Sequence, residues 1–196
     1  MRRDTNITMS VLRHGEVAGG PRYRGRTDDP LTARGWEQMW AAVDGAGEWE
    51  CVVASPLSRC AHFARAFAER HRLPLHVDAR LQEIDFGVWE GRSAEEIMES
   101  SPGTLDHFYR DPWRNEPPGG ESLEHMRARV LDAWDDVCAR GRPALVIGHG
   151  GPIRVILCHH FGWAREKLLC IDVSHAALYR LDLPAAGFRA ASASMS

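Results

Sequence analysis

The sequence predicts an α/β protein built on a mostly parallel sheet. Short apolar runs of strand length alternate along it with longer stretches whose apolar residues recur at helical spacing. Two of the apolar runs stop abruptly at histidine and glycine, Arg13-His14-Gly15 and Gly148-His149-Gly150-Gly151. A parallel sheet gathers such strand ends on one edge, which is where open α/β sheets bind ligands. At 196 residues the chain fits one domain, 1–196, with no repeat, linker or composition break.

Residues 7–12 form the first strand, and the polar, Gly- and Pro-rich stretch 16–30 reads as a loop over its end. Thr32 is an N-cap for a helix whose core face is Trp36, Met39, Trp40 and Val43, at i, i+3, i+4 and i+7. Cys51-Val52-Val53-Ala54 is a second strand. Ser55-Pro56 then reads as an N-cap with proline at the first helical position, opening a helix to His71 that buries Phe63, Ala64, Phe67 and Ala68. Its first turn carries Arg59, where free N–H groups and the helix dipole welcome an anion. Residues 73–77 read as an edge strand.

The segment 81–91 alternates acids (Glu83, Asp85, Glu90) with bulky apolar residues, and two glycines break it. It reads as a loop packed by Phe86 and Trp89, in which an acid shielded from water becomes a candidate general acid. Residues 93–100 read as a short helix, and 102–120, rich in Pro, Trp and charge, as a lid or pocket wall. Ser122 caps a long helix to Arg140 with a buried stripe of Met126, Val130, Ala133 or Trp134, and Val137; Glu121 before it complements the dipole. Ala144-Leu145-Val146-Ile147 is the most strand-like run, followed by a helix over 153–161 that Pro152 opens. Residues 171–183 read as a last strand, and 184–187 turn into a weaker one before a frayed tail.

Composition narrows the function. A formal net charge of -3 gives no basic excess for nucleic acid, and no apolar stretch approaches a membrane span. The N-terminus lacks an apolar core for a secretory signal, and the five cysteines (Cys51, Cys60, Cys138, Cys158, Cys170) are odd in number and widely spaced. Both features predict a cytoplasmic protein with reduced thiols. The ten histidines show no metal-ligand spacing, and the adjacent His159 and His160 would point about 100° apart on a helix.

Gathered on one sheet edge, Arg13, His14, Arg59 and His149 would surround a small space lined with donors. That space suits a tetrahedral dianion, since the arginine fork matches phosphate oxygens in pairs. An imidazole among arginines loses its proton easily and offers a lone pair, as a covalent nucleophile must. The spacing does not choose among Glu83, Asp85 and Glu90 for the accompanying acid.

The four pieces (Arg13-His14-Gly15 after a strand, Ser55-Pro56-Leu57-Ser58-Arg59, the 81–91 segment, and Val146-Ile147-Gly148-His149-Gly150-Gly151) resemble the histidine phosphatase, or phosphoglycerate-mutase-like, superfamily. The resemblance covers nearly the whole chain in order. It implies a three-layer α/β/α sandwich and a phosphohistidine intermediate, with no cofactor or metal. His14 would attack phosphorus; Arg13, Arg59 and a cationic His149 would hold the phosphoryl oxygens with the Gly150 N–H; Glu83 would protonate the leaving oxygen and later activate water. Arg24 joins the phosphate-binding set.

The stretches from Tyr23 to Thr32, from Glu83 to Gly91, and Pro118-Gly119-Gly120-Glu121-Ser122 are similar to the α-ribazole phosphatase branch of cobalamin synthesis, which implies α-ribazole 5′-phosphate as substrate. The chain lacks the length of the glycolytic mutases, and Glu16-Val17 and Arg24 stand where mutases carry small hydroxyl residues. The implied partner is a small phosphate monoester. Phosphoglycerate mutation, broad-specificity phosphatase action and non-catalytic phospho-ligand binding are the alternatives. A homodimer through an exposed apolar edge stays open, the edge itself not being identifiable from sequence.

Overall fold

The computed structural model describes residues 7–183. Five strands form one sheet: β1 (Ile7–Arg13), β2 (Cys51–Ala54), β3 (Leu75–Val77), β4 (Ala144–Gly148) and β5 (Leu178–Leu183), in the order β3-β2-β4-β1-β5. All neighbours run parallel except β5, which is antiparallel to β1 at the edge. Six helices accompany them: α1 (Ala33–Val43), α2 (Ser58–His71), α3 (Ala94–Ser100), α4 (Thr104–Arg110), α5 (Leu123–Ala139) and α6 (Gly150–Phe161). None among the described residues is long and apolar enough to cross a membrane.

The period-two alternation of the strands produces the layers. Leu12, Val52, Ala54, Leu145 and Ile147 pack with Met39 and Val43 of α1 and Phe63 and Phe67 of α2. Met9, Val11, Cys51, Val53, Ala144 and Val146 pack on the other face with Met126, Val130, Trp134 and Val137 of α5 and Ile153 and Ile156 of α6. Fully burying each ring, Phe63 or Trp134 for example, contributes roughly 2–3 kcal/mol. A separate small core of Trp89, Ile97, Leu105 and Phe108 anchors α3, the short helix expected over 93–100, and α4, which the sequence did not mark within 102–120.

Three boundaries differ from expectation. Helix α2 starts at Ser58 rather than behind a Ser55 cap, because the Ser55 hydroxyl faces His149 instead. Helix α6 starts at Gly150, ahead of Pro152. The last strand starts at Leu178, not 171: the carbonyls of Ile171, Asp172 and Val173 accept from the side chains of Arg154, Tyr179 and Arg13, while Arg13 N–H donates to the Ala177 carbonyl and Ala176 N–H to the His14 carbonyl. Ala176 takes φ 56° to do so. The expected weak strand over 184–187 and the tail lie outside the described residues.

Candidate active site

Parallel register brings the two histidines together. Arg13 is the partner of Gly148 across β1 and β4, so the next residue of each strand, His14 and His149, emerges beside the other. Their ring centroids are 5.3 Å apart, and His14 N–H donates to the Gly148 carbonyl at 3.0 Å. His14 lines a cavity of about 810 Å³ together with Arg13, Glu83, Arg24 and His175.

The protonation of His14 follows from its neighbours. Its Nδ1 lies 2.8 Å from the Gly15 carbonyl, which can only accept, so Nδ1 carries the hydrogen and Nε2 keeps the lone pair. The ring is 6% exposed, and burial holds it well below the ordinary imidazole value of 6.5. The bond to Gly15 opposes that shift, whereas Arg59, Arg13 and His175 add to it. At neutral pH this imidazole is uncharged.

Arg13 donates through Nη1 to the Val173 carbonyl. Its Nε is buried with no hydrogen-bond partner among the described residues, a donor that an anion would satisfy. Arg59, 1% exposed, donates Nη1 to the Thr27 carbonyl at 2.7 Å, Nη2 to the Gly25 carbonyl at 2.8 Å and Nε to His149 Nδ1 at 3.2 Å.

Those two carbonyls are placed by Glu90. Its carboxylate accepts from the N–H groups of Gly25, Arg26, Thr27 and Phe86 and from the Thr27 hydroxyl. Burial pushes this carboxyl up, but the bonds from Thr27, Phe86 and Arg26 outweigh it and leave the group below its ordinary value. One acid thus folds the loop that aims Arg59.

His149 departs from expectation. It is 0% exposed, its Nδ1 accepts from Arg59, and its Nε2 lies 2.7 Å from the Ser55 hydroxyl. An imidazole that accepts at Nδ1 carries its hydrogen on Nε2 and is neutral. Burial first, then Arg59, His14 and Arg13, lower its pKa far below 6.5. The cationic His149 expected from sequence is therefore corrected: the residue abuts His14 as a neutral brace for Arg59.

Of the three acids in the 81–91 segment, Glu83 alone lines the cavity. It accepts from Gly151 N–H at 3.1 Å and from Ile84 N–H at 3.0 Å, so the first turn of α6 seats the carboxyl group. Asp85 pairs with Arg26 at 3.3 Å and accepts from Gly87 N–H. Gly150 sits beside the same groups: a Cβ there would lie 2.9 Å from Arg154 Nη1 and 3.8 Å from both Arg13 Nε and Glu83 Oε2.

Two further expectations change. Arg24 lines the cavity, but its Nε goes to Asp29 and its Nη1 and Nη2 to the Gly20 and Ala18 carbonyls. These bonds brace its own loop; Arg59 is likewise bonded through Nε, Nη1 and Nη2 and sits behind the cavity lining, so its charge reaches the cavity from beside His149. The anion at the start of α2 is the side chain of Asp28, which accepts from Ser58 N–H at 2.7 Å.

Several contributors were invisible in the sequence. Arg129, in mid-helix, donates to the carbonyls of Arg80, Gln82 and Glu83 and forms a two-pronged pair with the buried Glu121, at 2.7 and 2.6 Å. Glu121 is therefore the anchor of the Glu83 segment and not a dipole complement. His175 faces His14 with ring centroids 5.6 Å apart, and Arg154 reaches the Gly150 turn. Only the left-handed backbone at Ala176 marks His175 as special, and alanine gives no sequence signal for it.

A family model described as histidine phosphatase superfamily (branch 1) matches residues 9–194. A bifunctional protein of Mycobacterium tuberculosis is 33% identical over 186 residues, 92% of this chain and 49% of its own; the chain spans about half the length of the first curated relatives it matches. Phosphoserine phosphatase 1 of Hydrogenobacter thermophilus is 31% identical over 182 residues, 88% of this chain and 86% of its own. Among solved structures, a mycobacterial glucosyl-3-phosphoglycerate phosphatase superposes with a TM-score of 0.79 at 26% identity, over 89% of each chain.

Proposed function

The chain belongs to the histidine phosphatase superfamily, and from that premise we propose that it hydrolyses small phosphate monoesters through a phosphohistidine at His14. One observation carries the reading. An imidazole with its Nε2 lone pair unprotonated faces a cavity beside an arginine N–H that has no partner among the described residues.

His14 Nε2 forms a bond to phosphorus as the bond from phosphorus to the leaving oxygen breaks, and Glu83, entering as the carboxylic acid, supplies that oxygen's proton. Arg13 and Arg59 neutralise the equatorial oxygens, and neutral His149 holds Arg59 in place. Water then attacks phosphorus, Glu83 takes its proton, and the bonding pair returns to Nε2. Alcohol and inorganic phosphate leave. The guanidinium groups supply the positive charge that a metal supplies elsewhere, so chelation with EDTA leaves the rate unchanged.

Within this class the sequence resemblance puts α-ribazole 5′-phosphate first among candidate substrates. The test is hydrolysis of p-nitrophenyl phosphate by wild type and by His14→Ala, with acid-quenched protein examined for phosphate on the histidine. Loss of turnover by about three orders of magnitude or more is the expected outcome. Activity that survives the substitution, or that dies on chelation, would sink the reading. A kcat/KM preference of about a hundredfold (roughly 2.7 kcal/mol) for α-ribazole phosphate over other monoesters would fix the branch, and conversion of 3-phosphoglycerate to its isomer would make the protein a mutase.

A further inference from the structure

We infer that the outer half of the cavity selects a leaving group that carries a ring and no anionic group of its own. The inference rests on the phosphomonoesterase reading and says what the ester must look like beyond its phosphorus.

At about 810 Å³ the cavity is in the range that holds a ligand of drug size, far beyond what a phosphoryl group fills. The wall beyond His14 is aromatic: Tyr23, Phe86 and Tyr109 line it. Tyr23 meets Phe86 edge-on at 5.1 Å and Trp89 at 5.7 Å; Trp89 meets Phe108 at 5.4 Å, and Phe108 meets Tyr109 at 5.2 Å. Tyr109 is 55% exposed at the end of this packed series, with its hydroxyl 2.8 Å from that of Tyr23. An open ring face fixed from behind stacks a second ring at little entropic cost.

The charges of the same half oppose an acidic leaving group. Its arginines are already committed: Arg22 to the Gly19 and Gly91 carbonyls and to Glu96 at 3.0 Å, Arg24 to the Ala18 and Gly20 carbonyls and to Asp29. Two carboxylates, Glu16 and Glu95, line the cavity there. Glu16 accepts from the Thr32 hydroxyl and lies 3.9 Å from the exposed Arg34; Glu95 is fully solvated. His175 is held neutral by burial and then by Arg13, so it offers a hydroxyl-type partner and no cation. A carboxylate on the leaving group would meet like charge beside guanidinium groups already paired with Glu96 and Asp29, whereas hydroxyl or ring N–H donors would be received.

The test compares esters that all expel an alkoxide, so intrinsic reactivity does not bias it: benzyl phosphate and a nucleoside 5′-phosphate against phosphoserine and 3-phosphoglycerate. The expected kcat/KM for benzyl phosphate exceeds those of the two carboxylate esters by about thirtyfold. Tyr109→Ala, at an exposed position, lowers the benzyl value by about tenfold and the phosphoserine value by less than about twofold. Tyr109→Phe keeps the benzyl value, and Glu16→Gln with Glu95→Gln narrows the gap to phosphoserine. Phosphoserine or 3-phosphoglycerate hydrolysed as well as benzyl phosphate would overturn this inference alone. No hydrolysis of any ester, including p-nitrophenyl phosphate, would overturn the phosphomonoesterase reading with it.

Discussion

The two ends of the cavity are made differently. At the inner end His14 is backed by Arg59 and His149, which lie behind the cavity lining and are shut off from water. Arg59 Nη1 and Nη2 are answered by Thr27 O and Gly25 O, and His149 Nε2 by Ser55 Oγ. At the outer end Tyr109 and Glu95 are open to solvent, on helices packed on the small core around Trp89 and tied to the 22–23 loop by Arg22–Glu96 and Tyr23–Tyr109. The inner geometry follows from strand register and backbone carbonyls, which few side-chain changes can alter. The outer geometry depends on side chains of α3 and α4, where substitution costs little. Chemistry is thereby separated from selectivity: the first is rigid, the second is free to vary.

The largest effect that sharpens this contrast is at Arg59. Arg59→Ala is expected to lower kcat/KM for p-nitrophenyl phosphate by about a thousandfold, far beyond the effect of any single change at the outer wall. A loss no larger than that of Tyr109→Ala would erase the distinction between the two ends.

Next comes the clamp beneath Glu83. Arg129→Met leaves Glu121 buried without its cation, at a cost of about 3 kcal/mol in urea unfolding. Glu121→Gln in the same chain recovers part of it. Equal stability of Arg129→Met and wild type would show that the pair anchors nothing.

Glu90 ranks third. Glu90→Gln removes a charge-assisted acceptor from the 25–27 loop, and kcat/KM falls by about thirtyfold. If the loop acts by aiming Arg59, the same substitution made on top of Arg59→Ala does almost nothing further. Additive losses in that double-mutant cycle would reduce Glu90 to a general stabiliser.

The smallest effect is on stability against pH. His14 and His149 have folded pKa values below 6.5, so below that pH the unfolded chain binds protons that the native state refuses. Stability therefore falls as pH drops beneath 6.5 and is unaffected by these groups above it. The carboxylates with lowered values, Glu90 and Glu121 among them, act only in the carboxylate range near 4.5 and below. Between about pH 7.5 and 5.5 the urea midpoint should fall in wild type and fall less in His149→Gln; parallel curves would contradict the neutral assignment.

The alternation of strands and helices was legible because each element carries its own local pattern, such as the Met126, Val130, Val137 stripe of α5. The convergence of Arg13, His14, Arg59 and His149 was legible because strand ends and helix starts locate residues without reference to partners, whereas Glu83 was singled out from Asp85 and Glu90 by the family resemblance alone. What was not legible depends on partners. Arg129 looks like any solvated helix arginine until the carbonyls of 80, 82 and 83 arrive beneath it. Ser55 reads as a cap until His149 claims its hydroxyl, and Arg24 as an anion ligand until its loop closes on it. Residues 171–177 read as strand, but the carbonyls of Ile171, Asp172 and Val173 are taken by the side chains of Arg154, Tyr179 and Arg13 instead of extending a ladder.

Gly15 and Gly35 meet so closely that a Cβ on either would lie 2.2 Å or less from a carbonyl oxygen of the other's segment: Gly35 O for Gly15, Glu16 O for Gly35. Neither has a left-handed φ, so the demand is for room alone. The first turn of α1 thus packs directly on the backbone of residues 15 and 16, next to the Gly15 carbonyl that decides which ring nitrogen of His14 stays bare. A single methyl group added at position 35, outside the cavity altogether, would press on the Glu16 backbone one residue beyond the carbonyl that fixes the His14 tautomer, a remote handle on the nucleophile that touches no ester.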